Sequence, residues 1–342
     1  MKRFDRFPFA LAVGTIMLGQ SLIAEPRSTV ELNSLAASVD ELLGDDVREA
    51  IKRSIPFIRS EGVGWIEEQD CVSCHQVPAM LWSLNSAAHL GFTGESLEVD
   101  KWTRWSLGKM KELEKNPEKS PPVDTMTQLI LGRTGLRDEL YGEPVFSEFP
   151  QLIVEQQQPD GYWKAGGQLP SQKRPTEETN EVTTAWTVIA LKAWEESSDV
   201  SIAESRARAV KWLEQSESGE STEWHVVRLL LQAQEDGSVE HRIENLLRLR
   251  NPDGGWSWIP GETSDAFATG QSLYALNVSG YQGDGEVVLK AIRFLIGSQT
   301  EEGYWLVPGT KLKRRDRTSP TSNYWGTAWA VAGLSRWLAN EP

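Results

Sequence analysis

Three short turns govern what this chain can fold into: Asp160-Gly161-Tyr162-Trp163, Asp253-Gly254-Gly255-Trp256 and Glu302-Gly303-Tyr304-Trp305. Each follows an amphipathic helical stretch, and in two of them a glutamine, Gln157 or Gln299, stands three residues ahead of the acid. From Trp163 to Trp256 is 93 residues and from Trp256 to Trp305 is 49, so a unit of about 47 to 49 residues fits. Degenerate copies are expected at Gln215 to Trp224 and around Trp65. The glycine can take a positive φ to turn the chain off the helix end, the acid caps the turn, and the tryptophan packs it against its neighbours. Fifteen Trp in 342 residues then imply a recurring structural position or an aromatic-lined cavity.

A second helix, apolar on nearly all faces, follows each turn, as expected of an inner ring. Such helices are expected to start near Pro78, Thr125, Val182, Glu223, Ala266 and Tyr324. Outer helices are expected at about 46–60, 97–115, 146–157, 202–215, 239–249 and 285–298. Val47, Ile51, Ile55 and Ile58 show their one-sided apolar stripe. At these residues the chain resembles the squalene cyclase and prenyltransferase repeat family, whose QW-type motif the turns match. The resemblance implies an all-α fold, a single (α/α)6 toroid over residues 40–342, with all inner-helix N-termini at one mouth; a superhelical solenoid is the alternative. It stops at the catalytic residues. Ser264-Asp265-Ala266-Phe267 holds one lone Asp where the cyclases carry an Asp-rich protonating motif, and no Cys beyond Cys71 and Cys74 remains for the zinc of a prenyltransferase.

The composition, 39% apolar and 25% charged, is that of a globular protein with a large core. Lys2, Arg3 and Arg6, then an apolar run from Phe7 to about Leu18, read as a secretory signal over residues 1–24, cleaved after Ala24. Residues 25–39 form an N-terminal extension, and the mature chain is periplasmic or secreted with no transmembrane segment. Loss of the signal removes two net positive charges and moves the formal charge from −14 to about −16, which argues against nucleic acid as a partner.

Both cysteines lie in Cys71-Val72-Ser73-Cys74-His75, the spacing by which two thiols take covalent haem c and the following His becomes the proximal iron ligand. A vicinal redox disulfide and a fragment of a metal site are the competing readings. Pro78, at the first turn of the first inner helix, places the motif at the toroid mouth. Met126 and His225 are the candidates for the distal iron position, unless it is open. Arg174, Arg314 and Arg315 sit in the two longest loops entering inner helices, where they could pair with haem propionates or simply face solvent.

Asp124, Glu181, Glu223 and Asp265 each stand at the expected start of an inner helix. An acid there is a helix cap, or a catalytic group inside a cavity. The leading expectation is an exported c-type haem protein performing electron transfer or small-molecule redox chemistry, with a ligand in the central cavity and a redox protein as partner. The alternatives are a non-redox cavity protein binding or processing a lipid, terpenoid or sugar, and a gas or redox sensor.

Overall fold

The computed structural model describes residues 29–72, 76–92, 96–114, 122–134, 149–166, 172–194, 200–216, 219–235, 237–311 and 317–338. Twelve α-helices run through them. The outer members are α1 (Thr29–Gln69), α3 (Ser96–Glu114), α5 (Phe149–Glu155), α7 (Val200–Glu214), α9 (Glu240–Arg248) and α11 (Gly285–Ser298). The inner members are α2 (Val77–Ala88), α4 (Val123–Thr134), α6 (Thr176–Leu191), α8 (Thr222–Gln234), α10 (Ala266–Val278) and α12 (Pro320–Leu338). Only isolated bridges, and no strand, occur among the described residues.

The inner helices close on themselves: α2 packs on α4, α4 on α6, α6 on α8, α8 on α10, α10 on α12, and α12 returns to α2. From α3 onward each outer helix lies against the inner helix just before it, and α1 bridges α2, α12 and α11. The chain is thus a closed double ring rather than an open solenoid. No described helix is long and apolar enough to cross a membrane.

The three turns explain how the ring is held. Trp163, Trp256 and Trp305 are fully buried. Each indole donates Nε1–H to the carbonyl ten residues earlier on its own outer helix, at Ile153 (2.7 Å), Leu246 (2.8 Å) and Leu295 (2.8 Å). Each backbone N–H donates to a threonine hydroxyl of the following inner helix, Thr184, Thr269 or Thr327. The turn glycine completes the joint. Gly303 has φ +87°, and a Cβ there would fall 2.2 Å from the carbonyl oxygen of Arg53 on α1. The glutamines clamp the next outer helix: Gln157 donates to the Ser205 carbonyl on α7 (2.8 Å), and Gln299 to the Ala50 carbonyl on α1 (2.9 Å). The last turn therefore grips the first helix, and this seam closes the outer ring.

The structure corrects three readings of the sequence. Trp65 lies inside α1 and donates to the Cys71 carbonyl, and Trp224 lies in the first turn of α8, so neither is a turn tryptophan. Helix α6 begins six residues before Val182, because Pro175 stands at its N-cap and Glu177 and Glu178 in its first turn favour the positive end of the helix. Helix α1 covers Thr29–Gln69, so the described part of the expected extension, 25–39, is helical; the expected signal, 1–24, lies outside the described residues.

Candidate functional site

The inner helices surround a pocket walled by Trp82, Trp186, Trp325, Trp329, Gln128 and Glu223 together with alanines of α2 and α12. Trp329 stands 4.7 Å from Trp82 and 6.0 Å from Trp186, centroid to centroid. Tyr274 of α10 meets Trp82 and Trp329 edge-on at 5.8 and 5.7 Å, which fixes the rings from behind. These tryptophans come from α2, α6 and α12, far apart in sequence, and only ring closure brings them together. Their rings offer flat, rigid apolar faces at little entropic cost.

Glu223 is the one carboxylate in the described cavity wall. Its Oε2 accepts Arg174 Nη1 at 2.7 Å, both side chains being buried, and lies 3.4 Å from the Trp258 indole N–H; Oε1 lies 3.5 Å from Gln271 Nε2. Arg174 also donates to Ser221 Oγ (3.2 Å) and its guanidinium lies 5.2 Å above the Trp258 ring. A carboxylate so placed accepts hydrogen bonds and can stabilise positive charge.

Arg174 reaches Glu223 because its loop crosses towards the loop entering α12. Lys173 N–H donates to the Thr310 carbonyl (2.8 Å), Gln172 pairs with Lys311, and Lys173 Nζ reaches Glu262 at 3.0 Å. Arg174, expected beside a haem propionate, is therefore committed to a protein carboxylate. Arg314 and Arg315 lie outside the described residues.

The other three acids serve the scaffold. Asp265 caps α10, its oxygens accepting the N–H groups of Ala268 (2.8 Å) and Trp258 (2.9 Å). Asp124 accepts the Gly166 N–H (2.8 Å) and the Thr183 hydroxyl (2.7 Å), tying α4 to α6. Burial raises both carboxyls to about 6 against these hydrogen bonds. Glu181 sits in the second turn of α6, accepts the Trp224 indole N–H (2.6 Å), and is also pushed up by burial. The sequence thus marks four acids alike, and the structure gives only Glu223 to the cavity. Glu178, not singled out by sequence, holds the N–H groups of Glu220 and Ser221 ahead of α8.

Of the haem motif, Cys71 is described, exposed and free of a disulfide, while Cys74 and His75 lie outside the described residues. Met126 is fully buried in the core and absent from the cavity wall. His225 is half-buried, 5.0 Å edge-on from Trp224, and likewise absent from that wall. No group of three His, Cys, Asp or Glu among the described residues could hold a metal ion.

No protein-family model and no curated protein matches the chain. Solved structures do. A glycosyl hydrolase family 88 protein from Bacteroides vulgatus superposes with a TM-score of 0.52 at 11% identity, covering 86% of this chain and 99% of its own. The unsaturated glucuronyl hydrolase of Bacillus sp. GL1, described as responsible for glycosaminoglycan degradation, gives 0.50 at 12% identity, over 88% and 96%. A type II terpene cyclase from Scytonema gives 0.50 at 13% identity, over 85% and 98%. These likenesses show the fold. They also correct the leading functional expectation: the toroids that this chain resembles are described as sugar hydrolases and a cyclase, not as electron carriers.

Proposed function

We propose that the chain binds a carbohydrate in the tryptophan-lined cavity and processes it there by non-redox chemistry with Glu223 as the proton-accepting group. The observation that carries this reading is the combination of several indole faces with one carboxylate in a single cavity. Indole faces suit the C–H faces of a sugar ring, and the Glu223–Arg174 pair supplies an acceptor and a donor for its hydroxyls. The descriptions of the sugar-processing toroids support the same choice.

The test is calorimetric titration with a panel of neutral and acidic oligosaccharides, coupled to an assay of new reducing ends and of unsaturated product. Glu223→Gln is expected to keep the fold by circular dichroism and to lose about 10²-fold or more in turnover. Turnover unchanged in Glu223→Gln removes Glu223 from the chemistry. Binding of a terpenoid or fatty acid, with no saccharide bound, replaces the sugar by a lipid.

A covalent haem c on Cys71 and Cys74, with His75 as its axial ligand, is a separate proposal, joined to export because that attachment occurs outside the bacterial cytoplasm. The exposed Cys71 thiol is compatible with it, and the cavity reading calls on the haem for no step. Colour that stays with the unmutated chain in acidified organic solvent, and is extracted from Cys71→Ser/Cys74→Ser, supports it; colour extracted equally from both removes it.

A further inference from the structure

On the side of α8 away from the cavity, Trp224 gathers an unusual set of cations. The guanidinium carbon of Arg228, one helical turn on, lies 5.4 Å from its ring centroid, and that of Arg242, from α9, lies 5.6 Å from it. The His225 ring stands edge-on at 5.0 Å. The indole itself is buried, and its N–H is already given to Glu181. Arg228 Nη1 and His225 Nδ1 are fully buried and have no hydrogen-bond partner among the described residues. Buried polar atoms of this kind are nearly always satisfied, because an unmet one forfeits its hydration without compensation.

We infer that Arg228, Arg242 and His225 form an oxyanion-binding site on the outer wall between α8 and α9, taking a carboxylate, sulfate or phosphate group. Two guanidinium groups on one indole repel each other, and a protein of net charge −14 has acids enough to separate them; here they stand together. Burial and then Arg242 push both Arg228 and His225 down, so that His225 is neutral at pH 7 and offers a hydrogen bond rather than a charge. Glu181 and Glu214 pull Arg228 the other way without meeting its buried nitrogen. An oxyanion lying across both guanidinium groups supplies the missing acceptor and cancels the repulsion, as planar guanidinium groups do for carboxylates and sulfates.

The site is independent of the cavity reading, because none of its residues lines the cavity. The test is thermal unfolding and isothermal titration of the full chain with sodium sulfate, sodium phosphate and sodium glucuronate, each against sodium chloride at equal ionic strength. At least one oxyanion is expected to bind saturably and raise the unfolding temperature. Arg242→Gln, half-exposed and on the outer helix, is expected to weaken that binding about tenfold, the loss of one charge-assisted hydrogen bond, and Arg228→Gln/Arg242→Gln to abolish it. A response of the wild type indistinguishable from chloride for all three anions overturns the inference, as does equal binding by the wild type and Arg242→Gln. Preference for glucuronate marks a sugar carboxylate as the natural group, and preference for sulfate or phosphate an inorganic or esterified one.

Discussion

Replacing Gly303 by Ala attacks the seam of the ring at its tightest point. The residue has φ +87°, a conformation that costs an L side chain about 1–2 kcal/mol. The new Cβ would also stand 2.2 Å from the Arg53 carbonyl oxygen, a backbone atom that cannot rotate away, so α1 must shift. Forcing such an overlap in a packed joint adds about 1–3 kcal/mol, for a total of about 2–5 with a midpoint near 3.5. Moving α1 also stretches the Gln299 bonds to the Ala50 carbonyl and to Ser54 Oγ. Gly280→Ala is the control, with φ +68° and nothing within 4 Å of the added methyl. It has the dihedral cost alone, partly offset by the lost freedom of the unfolded chain, and is expected to cost about 1 kcal/mol. In urea unfolding followed by circular dichroism, the two variants should therefore differ by about 2–3 kcal/mol, or about 5 °C in melting temperature for a domain of this size. Equal destabilisation by both would refute the claim that the Gly303 turn is sterically locked to α1.

Two further outcomes follow from the buried groups. Asp124 and Asp265 are raised from 3.8 to about 6, so the folded chain holds protons that the unfolded chain releases between pH 4 and 6. Stability is then greatest at the acidic side of that window and falls as pH rises through it, by at most about 3 kcal/mol per group; urea midpoints from pH 4 to 7 measure the fall, and Asp265→Asn should reduce it by about half, leaving the Asp124 part. Trp256→Phe keeps the apolar body but leaves the Leu246 carbonyl without its indole donor, which should cost about 1–3 kcal/mol in the same assay; a loss below about 0.5 kcal/mol, the error of the method, would show that the bond does not hold the turn.

Most of the helical frame was legible because it is written in local signals. Helix α11 has the expected limits, and five of the six inner helices begin within four residues of the expected positions, since Gly-Trp turns and apolar runs are properties of neighbouring residues. What was not legible depends on partners far along the chain. Asp124, Glu181, Glu223 and Asp265 look equivalent in sequence, yet what separates them is who meets them: Arg174, 49 positions from Glu223, against backbone N–H groups for Asp265. Trp224 deceived the repeat count for the same reason, as its indole found Glu181 rather than an outer-helix carbonyl. The tryptophans of the cavity carry no local mark beyond lying on inner helices, and a register of those helices against one another would have found them.

The clamp of Gln299 and Gly303 on α1 also fixes how many units the protein can have. In an open stack, a duplicated or deleted helix pair changes length and little else. Here the last turn must reach Ala50, Ser54 and the Arg53 backbone, and it reaches them only at one circumference. Unit number is therefore quantised by geometry while individual units remain free to differ, as the first, second and fourth do in lacking the Gly-x-Trp turn that the third, fifth and sixth carry.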